Sequence, residues 1–174
     1  RAIKRGTGED GGAAIEELVY EGIGPAQSQF VVRVLTDSRN RAAATIRHAF
    51  MKHGGSLGAV MWNFEQKGVL MIAKEIWEES KLDWDEFLLE GIDAGIDDAV
   101  MEEDGVVIYT KPDAFAKVKG WLEGKNLKTA SADIEFVAKE KLKVSDADRE
   151  KIESFIDALE GDEDVSDYFT NAEL

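Results

Sequence analysis

The helix-and-strand pair that closes the chain constrains the fold most, because no sheet lies beside it in sequence. Ser145 is placed to cap a helix, Asp148 falls in its first turn, and Ile152, Phe155, Ile156 and Leu159 recur at helical spacing. A strand-like run from Val165 to Ala172 follows. One amphipathic helix and one strand cannot bury their apolar faces on each other alone, so both need partners from earlier in the chain. The first block can use them. Glu16 to Gly22 and Ser28 to Thr36 read as two strands around a Gly24-Pro25 turn, with Phe30, Val32 and Val34 on one face and Val31, Arg33 and Leu35 on the other. Only one full helix accompanies them. Ser38 or Asp37 caps it, Ala42, Ala43, Ile46, Ala49, Phe50 and His53 form its apolar stripe, and Gly54-Gly55 ends it. Ala59 to Phe64 and Val69 to Ala73 read as strands with Gly68 between them.

The middle of the chain makes a unit by itself. Trp84, Phe87, Leu88, Gly91 and Ile92 form a helical stripe, and Ala99 to Met101 pairs with Val106 to Tyr109 around Asp104-Gly105. Pro112 opens a helix that turns Phe115, Val118, Trp121 and Leu122 inward, and Ala130 to Ala138 alternates as a strand. From Val69 onward the order is β-α-β-β-α-β, a ferredoxin-like split unit. The predicted fold class is therefore α+β, with two small α/β domains, at least one of them ferredoxin-like, and one inserted into the other. Residues 67–140 are the insert, 13–66 plus 141–174 the discontinuous domain, and 1–12 the end of a helix with a glycine-rich linker.

Charge is distributed unevenly over this plan. The 174 residues carry a net −15, yet Ser38 to Phe64 contains no Asp or Glu and holds Arg39, Arg41, Arg47 and Lys52. A compact basic window on an acidic protein points to a polyanion, most often nucleic acid. Arg39 and Arg41 sit in the helix's first turn, where the dipole disfavours cations, and Asn40 and Ser38 add groups suited to phosphate or base edges. The alternative for that end is pairing of Arg39 or Arg41 with the protein's own acids. Residues 75–104 carry 13 acids against Lys81 alone, and 145–174 carry 11 against Arg149 and Lys151. These stretches read as solvated faces, or as surfaces that repel nucleic acid and fix which face docks.

Several chemistries find no support. There is no cysteine, so disulfides, thiolate metal sites and a thiol nucleophile are excluded. His48 and His53, the only histidines, are five apart and do not share a helix face as a metal pair would; His53 reads as a partly buried helix-end residue and His48 as a surface one. Residues 6–12 lack the spacing of a phosphate loop. Asp162, Asp164, Ser166 and Glu173 imitate calcium-loop spacing, but Asp167 stands where the sharp turn needs Gly, and the stretch reads as an acidic turn. No nucleophile with a neighbouring base is recognisable, and no cofactor is implied. No apolar run approaches the about 18 residues that span a bilayer, and no signal-peptide pattern is visible. The chain opens on Arg1 and reads as truncated. Trp62, Trp77, Trp84 and Trp121 read as core or half-buried residues, with Trp62 the exception to test because it follows the basic helix and its glycine loop.

The runs Thr36-Asp-Ser-Arg-Asn-Arg41, Ile46-Arg-His-Ala-Phe50, Lys52-His-Gly-Gly55, Leu57-Gly58, Phe64 and Lys67-Gly68 resemble the YebC/PmpR family. Tyr20-Glu-Gly22 with Gly24-Pro25, Ile156 to Leu159, Asp164-Val165, Tyr168 and Asn171-Ala-Glu173 extend the likeness over essentially the whole chain. The resemblance implies three domains, a basic helical one followed by two α/β domains, of which only the end of the first is in this sequence. Two departures stand out. Ala59 leads directly to Val60 where the family usually has a few more residues ending Gly-Ser, and Ser38 stands where Asn is common.

The resemblance implies a bacterial transcriptional regulator that binds DNA, or, from the mitochondrial member, a translational activator that works on RNA and the ribosome. The expected function is a non-enzymatic regulator of gene expression whose partner is nucleic acid, either DNA or ribosomal or messenger RNA. The expected contacts are Arg39, Asn40, Arg41, Arg47, Lys52, Gly54, Gly55 and Lys67. An acidic protein with one compact patch is a poor sliding DNA binder, which favours structured RNA. The second alternative is a protein-interaction module using the acidic C-terminal region. No membrane or small-molecule substrate is expected, and the compartment is the bacterial cytoplasm or the mitochondrial matrix.

Overall fold

The computed structural model describes residues 14–174; the helix end and linker expected over 1–12 lie outside the described residues. In chain order the regular elements are β1 (Glu16–Ile23), β2 (Gln29–Thr36), α1 (Arg39–Lys52), β3 (Ser56–Leu57), β4 (Phe64–Ala73), α2 (Lys74–Ser80), α3 (Trp84–Ala94), β5 (Ile96–Glu102) and β6 (Gly105–Thr110). They continue with α4 (Phe115–Gly124), β7 (Ser131–Ala138), β8 (Leu142–Lys143), α5 (Asp146–Glu160), β9 (Val165–Thr170) and β10 (Ala172–Glu173). The chain divides into two compact units, one of residues up to Glu65 together with Val137–Leu174, the other of Gln66–Phe136. The architecture is α+β, two small α/β units, each with a four-stranded sheet.

In the first unit the strand order is β3-β1-β2-β9. The β1–β2 hairpin turns at Gly24-Pro25, where the Gly24 N–H donates to Ser28 O at 2.7 Å and the Ser28 hydroxyl donates to Pro25 O at 2.7 Å. β2 is central: it pairs antiparallel with β1 and, on its other edge, with β9. Its alternation puts Phe30, Val32 and Val34, all fully buried, into one core with Ala42, Ile46 and Phe50 of α1 and Ile152, Phe155, Ile156 and Leu159 of α5. Phe155 meets Phe30 and Phe50 edge-on, at ring centroid distances of 4.8 and 4.9 Å. The closing helix and strand thus supply five of the eleven buried residues of this core, and β2 and α1 supply the other six.

The second unit has strand order β5-β6-β4-β7, with α2 and α3 between β4 and β5 and α4 between β6 and β7. That is the ferredoxin-like arrangement, first strand beside third in the middle. Leu70, Ile72, Val106 and Ile108 of the sheet pack with Trp77, Phe87, Val118 and Leu122 of the helices.

Three local readings change. Ala59 to Phe64 is not a strand: Met61–Asn63 forms a 3-10 turn, and β4 starts at Phe64. Gly68 does not separate two strands but lies inside β4, where a Cβ would strike the Thr110 hydroxyl and Phe115, so glycine answers a close approach. α2 has no clear sequence signal, being seven residues long and buried mainly through Trp77.

A polar seam joins the two separated parts of the first unit. Asn63, only 3% exposed, donates through Nδ2 to Gln29 Oε1 at 2.8 Å and to Glu140 O at 3.0 Å, and accepts at Oδ1 from the Glu140 N–H at 2.9 Å. The Lys139 N–H donates to Asn63 O at 2.7 Å. Gln29 in turn receives Asn171: its N–H donates to Asn171 Oδ1 at 2.8 Å, and the Leu142 N–H donates to Asn171 O at 2.7 Å. Buried amides left unpaired cost about 1–3 kcal/mol each. Asn63→Ala is therefore expected to destabilise the first unit by about 3 kcal/mol, read as a lower urea midpoint, and Asn63→Asp at least as much, because it sets a buried carboxylate oxygen against Gln29 Oε1 and Glu140 O.

Candidate nucleic-acid interface

The basic window folds as α1 and the loop after it. Ser38 caps the helix, its hydroxyl accepting from the Arg41 N–H at 3.3 Å, and the first turn contains no acid. Ala42, Ile46 and Phe50 are buried, which fixes the rotation of the helix and leaves Asn40, Ala44, Arg47, His48, Met51 and Lys52 in solvent. The helix ends at His53, half-buried, with Nδ1 2.9 Å from Ala49 O. Gly54 takes φ +83, a conformation that disfavours side chains, and a Cβ on Gly55 would collide with Ile23 O.

The two ends of α1 differ. Arg39 Nε donates to Glu16 at 3.0 Å. Arg41 is held more fully: its guanidinium donates to Asp37 at 2.9 Å, to both oxygens of Asp164 at 3.1 to 3.3 Å, and to the Thr36 hydroxyl at 3.2 Å. The hydrogen bond from Asp37, then those and the charge of Asp164, raise the Arg41 pKa above its ordinary value. Pairing with the protein's own acids is thus the arrangement at both arginines of the first turn. Arg41 lies in a cleft of about 790 Å³ that Asp37, Asp162, Glu163 and Asp164 also line. The carboxylates outnumber the cation there, so this end of the helix opposes a polyanion.

At the other end, neither Arg47 nor Lys52 has a carboxylate within 4.0 Å among the described residues. Both are exposed, as are Asn40 and His48. Gly54 and Gly58 have open space where a Cβ would stand. The loop beyond is held by Glu21: the Val60 and Met61 N–H groups donate to its Oε2 at 2.7 and 2.6 Å, and the Gly58 N–H donates to its backbone O at 3.2 Å. Lys67 belongs to the second unit, on β4, with Nζ 5.6 Å from the Tyr109 ring centroid.

Of the expected contacts, Asn40, Arg47 and Lys52 lie exposed along α1, and Gly54 and Gly55 lie in its exit loop. The structure gives Arg39 and Arg41 intramolecular partners and assigns Lys67 to the other unit. Glu21 and Asp164 escaped sequence reading. An acid that clamps a loop through backbone amides, or neutralises an arginine 123 residues away, leaves no local pattern.

Comparison with known proteins then places the chain. The family described as TACO1/YebC second and third domain matches residues 15–172. The chain belongs to the TACO1/YebC family. Proteins named "Probable transcriptional regulatory protein" from Thermoanaerobacter pseudethanolicus and Pelotomaculum thermopropionicum are each 41% identical over 177 residues, covering all of this chain and 70% and 72% of theirs. The crystal structure of a conserved hypothetical protein from Aquifex aeolicus superposes with a TM-score of 0.82 at 33% identity, over 99% of this chain and 71% of that one.

The Glu21 clamp has a direct test. Glu21→Ala removes the acceptor of two backbone N–H groups and is expected to cost about 2 kcal/mol. Amide hydrogen exchange at Val60 and Met61 is expected to speed up well before exchange in β2.

Proposed function

We infer that this chain is a non-enzymatic regulator of gene expression that works by binding nucleic acid through the C-terminal half of α1 and the glycine loop after it. The observation that carries this reading is that neither Arg47 nor Lys52 has a carboxylate within 4.0 Å among the described residues. Both are exposed in a window without acids, while the protein as a whole carries −15. Cations neutralised inside the fold gain little from phosphate, because contact must first break an ion pair. Cations left in water release condensed counterions on contact, and that release supplies most of the affinity. Arg39 and Arg41 then serve to anchor the helix start to β1 and to the 162–166 turn. His48 and Gly54 complete the surface with a hydrogen-bonding group and bare backbone. The names of the relatives support a regulatory role, and transcription with a DNA partner follows those names most directly.

A second reading, action in translation through RNA or the ribosome, is favoured by the acidity of everything outside the window. Residues 75–104 and 145–174 repel a long duplex, so a polyanion can approach only locally.

The deciding experiment is charge reversal. Arg47→Glu with Lys52→Glu is expected to abolish retention on immobilised RNA or DNA and to lower the slope of log affinity against log salt by about 1.4 for a single strand. Unchanged binding by this double variant discards the reading. Arg41→Glu is the contrasting variant: it adds a carboxylate to a cleft already lined by Asp37, Asp162, Glu163 and Asp164 and is expected to lower the melting temperature as well as the affinity.

A further inference from the structure

Trp62 is 65% exposed, although an indole in water forgoes a large burial gain. It is nevertheless held in place. It lies in the 3-10 turn Met61–Asn63, and its Nε1–H donates to Ala59 O at 3.2 Å. The residues around it are anchored. Val60 is 1% exposed and tied to Glu21 through its N–H; Asn63 is 3% exposed and tied to Gln29 and Glu140. The turn therefore fixes the backbone on both sides of a ring that contributes nothing to either core cluster.

Three lysines stand in the neighbourhood, with Glu140 among them. The Lys139 N–H donates to the carbonyl of Asn63, the residue after Trp62, which sets the segment Lys139 to Lys143 beside the turn. Lys139, Lys141 and Lys143 are all exposed, and none has a carboxylate within 4.0 Å among the described residues. Preceding the turn, Gly58 leaves open space.

We propose that Trp62 is a stacking platform for an unpaired RNA base, with Lys139 and Lys141 taking the adjoining phosphates. The proposal rests on the nucleic-acid reading above and names the kind of strand involved. An exposed indole offers a flat π-face, which a base can cover only if its own neighbour does not already cover it; in a duplex both faces of each base are stacked. RNA loops and bulges present such bases next to a flexible backbone that can follow a small basic patch, whereas a long duplex would carry its phosphates across the acidic remainder of the chain. A rigid ring loses little entropy on stacking, which explains why the turn is pinned at Val60 and Asn63.

The test uses the full chain, as wild type and as Trp62→Ala, Trp62→Phe and Arg47→Glu/Lys52→Glu variants. Fluorescence anisotropy is read with a labelled oligoadenylate RNA, its DNA counterpart and an RNA duplex. Trp62→Ala is expected to lose about tenfold in affinity for the single-stranded RNA, Trp62→Phe to stay within about threefold of wild type, and duplex binding to be the same in all three. Equal binding by Trp62→Ala, an equal loss on the duplex, or tighter wild-type binding to the DNA strand overturns the assignment. Wild type that binds none of the three probes overturns the nucleic-acid reading along with it. Binding that falls with Arg47→Glu/Lys52→Glu but ignores Trp62→Ala discards the stacking role alone.

Discussion

The first unit closes on Phe155. Its ring stands edge-on to Phe30 from the central strand and to Phe50 from the basic helix. Dense packing of aromatic rings fixes relative positions because a shift of one forces the others off their contacts. Everything on the surface of α1 inherits its orientation from this contact. Ala42, Ile46 and Phe50 must face inward, so Arg47 and Lys52 must face out. The amide seam of Asn63, Gln29 and Asn171 does for the backbone what Phe155 does for the core. It satisfies polar groups where the chain leaves the first unit and where it returns.

Electrostatics divides α1 into halves with different roles. Its first turn has the wrong charge for a helix start, and the fold corrects this with carboxylates from elsewhere: Glu16 for Arg39, Asp37 and Asp164 for Arg41. Its last turn has the right charge, since a cation there faces the negative end of the helix dipole and needs no partner. Lys52 accordingly has no carboxylate within 4.0 Å among the described residues, so the two ends of one acid-free helix hold their cations differently.

The architecture was largely legible because its signals are local or periodic. The alternation in Gln29–Thr36, the stripe Ile152, Phe155, Ile156 and Leu159, and the turn at Asp104-Gly105 each declare one element and the face it buries. The orphaned closing helix and strand did more, by demanding partners at the other end of the chain. What stayed hidden depended on neighbours distant in sequence. Val60 and Trp62 suggested a strand through their composition, but Glu21 draws the Val60 and Met61 amides into a turn instead. Gly68 looked like a break because its reason, the closeness of Thr110 and Phe115, lies about forty residues away. The interface followed the same rule: the presence of four cations could be read from the window, but which of them were free depended on Glu16 and Asp164.

The pairing of β2 with β9 also orders events in time. The second unit, Gln66–Phe136, is contiguous and complete once its own residues have left the ribosome. The first unit begins earlier but cannot finish, because β2 lacks its outer neighbour until Val165–Thr170 has been made and α1 lacks its cover until α5 exists. During synthesis the underside of the basic helix, with Ile46 and Phe50, is consequently bare while a finished domain already hangs from the nascent chain. Non-local closure of this kind is slow. Of the two parts that build the first unit, the one translated later turns the candidate binding helix into a defined surface.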